Sequence, residues 1–155
     1  MTEPATPTLE HLFTIDVKLA PPIDIGPALR GERKLIPIVG GTFSGPKLSG
    51  EVLNLGADWH TVFGDGSSEL DTRYALRTDD GAVIDLRNFG YRSGPPEILA
   101  GLMRGEHFDP ALYYMRTQAR FETGDPRYAW LNTLICVGSG ARFPNAVLMA
   151  IYAVR

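Results

Sequence analysis

Asp58-Trp59-His60 follows a glycine and sits at a strand end or turn, where a carboxylate can point into a cavity mouth. There Asp58 suits the role of general base, or orients a substrate hydroxyl, with Trp59 as a wall. The same three residues could instead close the bend through an Asx turn, with Trp59 filling the core. His60 gains a chance of acid–base work through its proximity to Asp58. The other two histidines, His11 and His107, are expected on an outer strand face and in the loop after a helix. No histidine pair has the i, i+4 or short strand spacing of a metal cluster, and no cysteine pairs with them. Neither a metal nor any other cofactor is expected.

A second set of candidates comes from two segments read at a period of two. Leu112–Glu122 places Tyr114, Arg116, Gln118, Arg120 and Glu122 on one face, opposite Tyr113, Met115, Thr117, Ala119 and Phe121. After a Gly-Asp-Pro turn, Tyr128–Val137 reads as another strand with Tyr128, Trp130 and Asn132 together. A face that mixes rings, guanidinium, amide and carboxylate suits a sheet wrapped around a small polar-aromatic ligand. Arg33 and Arg116 are the cations expected to face inward, with Asp58 and Glu122 as internal partners. A guanidinium in such a lumen needs a carboxylate or an anionic ligand. An internal salt bridge without catalytic part is the alternative for each.

Other chemistries lack their residues. The glycines after Leu35–Val39 feed prolines and β-formers rather than a helix, so they bend strands instead of cradling phosphate. No nucleophile elbow is present, and Gly64-Asp65-Gly66-Ser67 and Gly138-Ser139-Gly140 read as loops. The lone Cys136 lies in an apolar run and reads as a small buried hydrophobe. A net charge of -3 over 155 residues offers no field for nucleic acid or an anionic membrane. No apolar run reaches bilayer length and the N-terminus has no signal-peptide pattern, so a cytoplasmic protein is expected.

The elements that must position these residues are short strands. Leu9–Leu19 alternates cleanly, and residues 1–8 read as a disordered tail ahead of a single domain over 9–155. Leu70–Thr78 and Ala82–Gly90 flank Asp79-Asp80-Gly81, a strong hairpin signal. One helix is expected over Pro96–Arg104, with Pro96 at its first position and Ile98, Leu99, Leu102 and Met103 as its apolar stripe. Val147–Val154 closes the chain as a strand apolar on both faces. Many short strands, seventeen glycines and one helix point to an all-β antiparallel barrel around a lumen.

Gly31-Glu32-Arg33, Pro37-Ile38-Val39-Gly40-Gly41-Thr42-Phe43-Ser44-Gly45-Pro46 and Gly56-Ala57-Asp58-Trp59 resemble, in order, blocks of the family grouped as domain of unknown function 3237, or UPF 0311-like. So do Tyr74 with Asp79-Asp80-Gly81-Ala82, Tyr114-Met115-Arg116-Thr117 and Tyr128-Ala129-Trp130-Leu131-Asn132. Met115 departs from the aromatic often found there. The resemblance implies a single calycin-like or allene-oxide-cyclase-like β-barrel, often a homodimer or higher homo-oligomer. Similar barrels bind small apolar molecules, and some guide cyclisations or isomerisations.

The expected function is a cofactor-independent barrel enzyme acting on an aromatic or polyketide-like apolar substrate. Cyclisation, isomerisation, addition and lactone chemistry all fit. Asp58 would be the base, with Tyr114 or His60 as proton donor. Arg33 and Arg116 would stabilise an oxyanion, and Trp59, Tyr128, Trp130, Asn132 and Glu122 would line the ligand site. A carrier barrel that binds without reaction, and a structural oligomer with an ion-pair core, are the alternatives.

Overall fold

The computed structural model describes residues 1–155. Its strands are β1 (Leu9–Leu19), β2 (Ile23–Pro27), β3 (Glu32–Ser44), β4 (Ser49–Val52) and β5 (Ala57–Val62). After β6 (Ser68–Thr78) and β7 (Val83–Ser93) comes the helix α1 (Pro96–Met103). The chain ends with β8 (Tyr114–Glu122), β9 (Cys136–Phe143) and β10 (Ala146–Val154). Neighbouring strands run β1-β10-β9-β8-β7-β6, and β4 and β5 bridge β6 to β3. β3 pairs with β1 and shuts the ring. The result is a closed eight-strand antiparallel barrel with two extra strands and one helix. Closure gives most backbone donors and acceptors a partner and removes most of the free edge.

Two glycines permit that closure. β3 serves β2 and β5 with its first half, Glu32–Pro37, and β1 and β4 with its second. Between the halves, Gly40 and Gly41 take φ of 150° and 129°. A methyl group on Gly41 would sit 1.8 Å from the Asp16 carbonyl oxygen, so only glycine lets β3 cross β1 this closely. The bent-strand expectation for these glycines holds. So do the hairpin at Thr78–Ala82, with Gly81 at φ 93°, and the helix, whose Leu99 and Leu102 are buried.

Two expectations fail. Tyr128–Val137 is not one strand: Ala129–Thr133 forms a 3-10 turn and β9 begins only at Cys136. The Asp125 carbonyl accepts from Tyr128 N–H and the Tyr128 carbonyl from Leu131 N–H, a three-residue repeat that a period of two cannot represent. Leu131, fully buried, enters the core from this turn. Gly138-Ser139-Gly140, read as a loop, lies inside β9. A Cβ on Gly138 would meet Thr117 Oγ1 at 2.3 Å and one on Gly140 would meet Met115 at 2.9 Å, so the missing side chains leave room for these neighbours.

The barrel interior divides along the strands. One half is solid: Phe13 packs its ring against Phe43 and Phe121 at 5.4 and 5.7 Å, among Leu76, Ile84, Leu86 and Ile151. Each such side chain contributes roughly 1.5–3 kcal/mol by leaving water. Toward the other end the same inward faces continue as Val17, Leu19, Thr72, Asn88, Arg92 and Thr117. That half is hollow. No helix is long and apolar enough to cross a membrane.

Candidate functional site

β5 alternates, so Asp58 and His60 share its inward face, 8% and 2% exposed, while Trp59 between them points out. Asp58 Oδ2 lies 2.8 Å from His60 Nδ1, and its Oδ1 accepts the Asp71 backbone N–H at 2.9 Å. A carboxylate can only accept, so Nδ1 carries the proton, and in the neutral tautomer the lone pair is at Nε2. The carboxylate is fixed by a backbone donor, and it fixes the imidazole in turn. Their cavity encloses about 50 Å³. That is room for several waters or part of a compact ligand.

Two arginines face the dyad across this space. Arg92 descends from β7, with Asn88 one inward position deeper than Gly90, and Arg142 comes from β9. Arg142 is anchored: its Nη1 donates to the carbonyls of Phe143 and Ala146, and its backbone N–H donates to Tyr113 Oη at 2.8 Å. Arg92 is only 5% exposed, and its buried Nε has no hydrogen-bond partner. Neither arginine forms an ion pair with a carboxylate; the nearest acid in the cavity, Asp58, is already engaged twice. Burial, reinforced by the like charge of Arg142, pulls the Arg92 guanidinium down to about 10, while Asp58 opposes the fall. It therefore stays charged at neutral pH. Burial lowers Arg142 in the same way. Buried Asn88 leaves its Oδ1 unpaired.

The remaining lining is apolar or hydroxylic. Val17, Leu19, Ile36, Ile38, Val147 and Met149 form an aliphatic wall, and Leu70, Thr72, Tyr74, Met115 and Thr117 complete it. Tyr74 is the sole ring among the lining side chains besides the imidazole, and burial pushes its phenol well above its usual range. The arrangement can accept a proton at His60 Nε2 and stabilise negative charge nearby. No group of three or more His, Cys, Asp and Glu side chains converges as a metal site.

Of the residues singled out from sequence, Asp58 and His60 meet in the cavity. Tyr114, Arg116 and Glu122 do not, because β8 presents Met115, Thr117, Ala119 and Phe121 to the interior and the mixed face to solvent. Arg116, expected inward, lies over the exposed Tyr114 ring at 5.5 Å. The alternation was read correctly and its sense was reversed. Arg33 shares a face with Leu35 and Pro37, opposite the cavity-lining Ile36 and Ile38. Trp59 is 42% exposed on the outside of β5.

Tyr128, Trp130 and Asn132 leave the site with the strand that was to carry them. Tyr128 donates its hydroxyl to Asp80 at 2.8 Å, and Trp130 packs on the core below Lys47. Asn132 spans the backbone N–H and carbonyl of Thr123 at 2.8 and 2.9 Å, fastening the turn after β8. Arg92, Arg142 and Asn88 were missed. The hairpin expectation stopped at Gly90, two residues short of Arg92; its alternation already set Asn88 with Ile84 and Leu86, and two more residues would have added Arg92.

The family described as "Protein of unknown function (DUF3237)" matches residues 7–154. The UPF0311 protein RPA1785 of Rhodopseudomonas palustris is 44% identical over 151 residues, 96% of this chain and 99% of that protein. Its crystal structure superposes with a TM-score of 0.93 over 99% of this chain and 100% of that one. The crystal structure of a beta-barrel like protein from Acinetobacter baumannii AYE has a TM-score of 0.89 at 43% identity, covering both chains fully. A structure described as an enzyme from Penicillium herquei shares the fold at a TM-score of 0.75 and 21% identity, over 100% of this chain and 99% of that one. Family match, near full-length relatives and superposed barrels agree: this chain is a member of the DUF3237, or UPF0311, family.

Proposed function

We propose that this barrel is a small-molecule enzyme whose own side chains move a proton within the cavity. The observation that carries the reading is the Asp58–His60 pair, lining a space shared with two guanidiniums that form no ion pair. His60 takes a proton from an acidic C–H or O–H of the substrate. The released electron pair settles on a carbonyl or phenol oxygen, where Arg92 and Arg142 stabilise it. The imidazolium, paired with Asp58, then returns the proton to another atom of the same substrate. Returned to a different carbon, the proton gives isomerisation; after attack on an internal double bond or carbonyl, it gives cyclisation, addition or lactone chemistry.

Asp58 acts here as the positioning residue and His60 as the base, where the sequence suggested Asp58 as the base and Tyr114 or His60 as proton donor. The wall supports an oxygenated apolar substrate, and an aromatic or polyketide-like one would meet aliphatic side chains and Tyr74 rather than a stack of rings. That a barrel of this fold is described as an enzyme in Penicillium herquei supports catalysis over simple carriage.

The test is deuterium exchange. Cyclohexanone and 2-tetralone are incubated with the protein in D2O and loss of their α-protons is followed by NMR. The parent accelerates exchange, and His60→Gln loses on the order of 10²-fold or more, the usual share of one acid–base group. Asp58→Asn keeps the shape but no longer holds the imidazolium, and falls with it. Ligand binding with exchange no faster than in His60→Gln would make the barrel a carrier.

A further inference from the structure

Counting the ionised groups that line the cavity shows which kind of ligand it awaits. Arg92 and Arg142 bring two positive charges and Asp58 brings one negative, and a histidine such as His60 can only add to the positive side. The balance is at least one uncompensated positive charge, and it exists before any proton moves. We propose that the ligand enters as a monoanion, its carboxylate docking between the guanidiniums of Arg92 and Arg142 and its aliphatic body lying against Val17, Ile36, Ile38 and Met149. The proposal rests on the cavity being the ligand site, as in the reading above, but not on proton transfer.

Three observations support it. First, Asp58 offsets only one of the two charges and forms no ion pair with either arginine, its oxygens accepting from His60 Nδ1 and the Asp71 N–H. Second, the cations are placed as a pair. β7 and β9 flank β8, and Arg92 stands opposite Met115, whose other neighbour on β9 is the side-chain-free Gly140. Two residues beyond Gly140, Arg142 is held by the carbonyls of Phe143 and Ala146, which leaves Nε and Nη2 of its fork for a ligand. Like charges brought together in a buried space repel, and a planar carboxylate between two planar forks converts that repulsion into charge-assisted hydrogen bonds. Third, the Arg92 Nε is fully enclosed yet donates to nothing. Buried donors are nearly always satisfied, so this one marks where an acceptor belongs.

The probe pair is hexanoate and its uncharged isostere hexanamide, titrated calorimetrically in chloride-free buffer at neutral pH. Hexanoate is expected to bind at least tenfold more tightly than hexanamide. Arg92→Met is expected to lose that preference, and Arg92→Lys, which keeps the charge but not the fork, to retain part of it. Equal binding of acid and amide, undiminished hexanoate binding by Arg92→Met, or no hexanoate binding by the parent would each overturn the proposal. His60-dependent exchange on cyclohexanone alongside any of those results would leave the proton-transfer reading standing with a neutral substrate. The hexanoate and hexanamide titrations need no variant, so they decide even if Arg92→Met does not fold.

Discussion

Replacing Arg92 with methionine should make the empty protein more stable. Burial pulls the pKa of this guanidinium down from the ordinary arginine range to about 10. At 1.36 kcal/mol per pH unit, that difference corresponds to about 3 kcal/mol of destabilisation at neutral pH. Methionine retains most of the apolar stem and removes the charge. Allowing roughly 1 kcal/mol for lost volume and contacts, the net gain is about 2 kcal/mol. For a domain of this size that is a rise in Tm of roughly 4–8 °C, read by calorimetry in chloride-free buffer. The pH dependence carries a sign. A base whose folded pKa is depressed loses its proton in the folded state first, so the cost is complete below about pH 10 and fades as the pH climbs above it. The advantage of Arg92→Met over the parent should therefore shrink above pH 10. An unchanged or lower Tm, or an advantage constant across that range, would show that Arg92 is compensated by something other than a ligand.

Three further outcomes follow from positions elsewhere in the barrel. Gly41→Ala places a methyl group against the Asp16 carbonyl at a φ of 129°, and should cost roughly 3 kcal/mol, seen as a lower urea midpoint at constant m. Arg116→Ala should change stability by no more than about 0.5 kcal/mol and leave hexanoate binding unaltered, since its guanidinium lies outside over Tyr114; lost binding would return it to the site. Cys136, 2% exposed and with its thiol pushed up by burial, should react with a thiol reagent only as the barrel unfolds, and labelling at the native rate of a free thiol would contradict its placement.

Much of the architecture was legible because it rests on local signals. The alternation of β1, the Asp-Gly turn of the β6–β7 hairpin and the Pro96 start of α1 are each set by a few neighbouring residues. The closed sheet was legible from its glycines, since Gly40 and Gly41 have no reason to stand together in a straight strand. Residues 128–137 failed for the opposite reason. Their apparent alternation spans a 3-10 turn fixed by Asp125 and by the Asn132 clamp on Thr123, contacts that reach outside the segment.

The site was half legible, and the error has a physical source. A period of two divides a strand into two faces without saying which one is inside. On β8 the choice was made by chemical interest, and the face carrying Tyr114 and Arg116 was sent inward. Energetics choose differently: burying Met115, Ala119 and Phe121 removes apolar surface from water, whereas burying Arg116, Arg120 and Glu122 would strip three charges of solvent. The neighbouring strand makes the rule sharper. On β7, Ile84 and Leu86 fix the inward parity, which then carries Asn88 and Arg92 inside as polar members of an otherwise apolar face. A buried charge on the apolar face of its own strand is a costlier choice than a polar face as a whole, because the latter can simply turn to water. Function in a barrel of this kind is therefore sought at the polar residue that breaks an apolar face. Arg92 is that residue on β7, whereas on β5 the inward face is itself polar at Asp58 and His60.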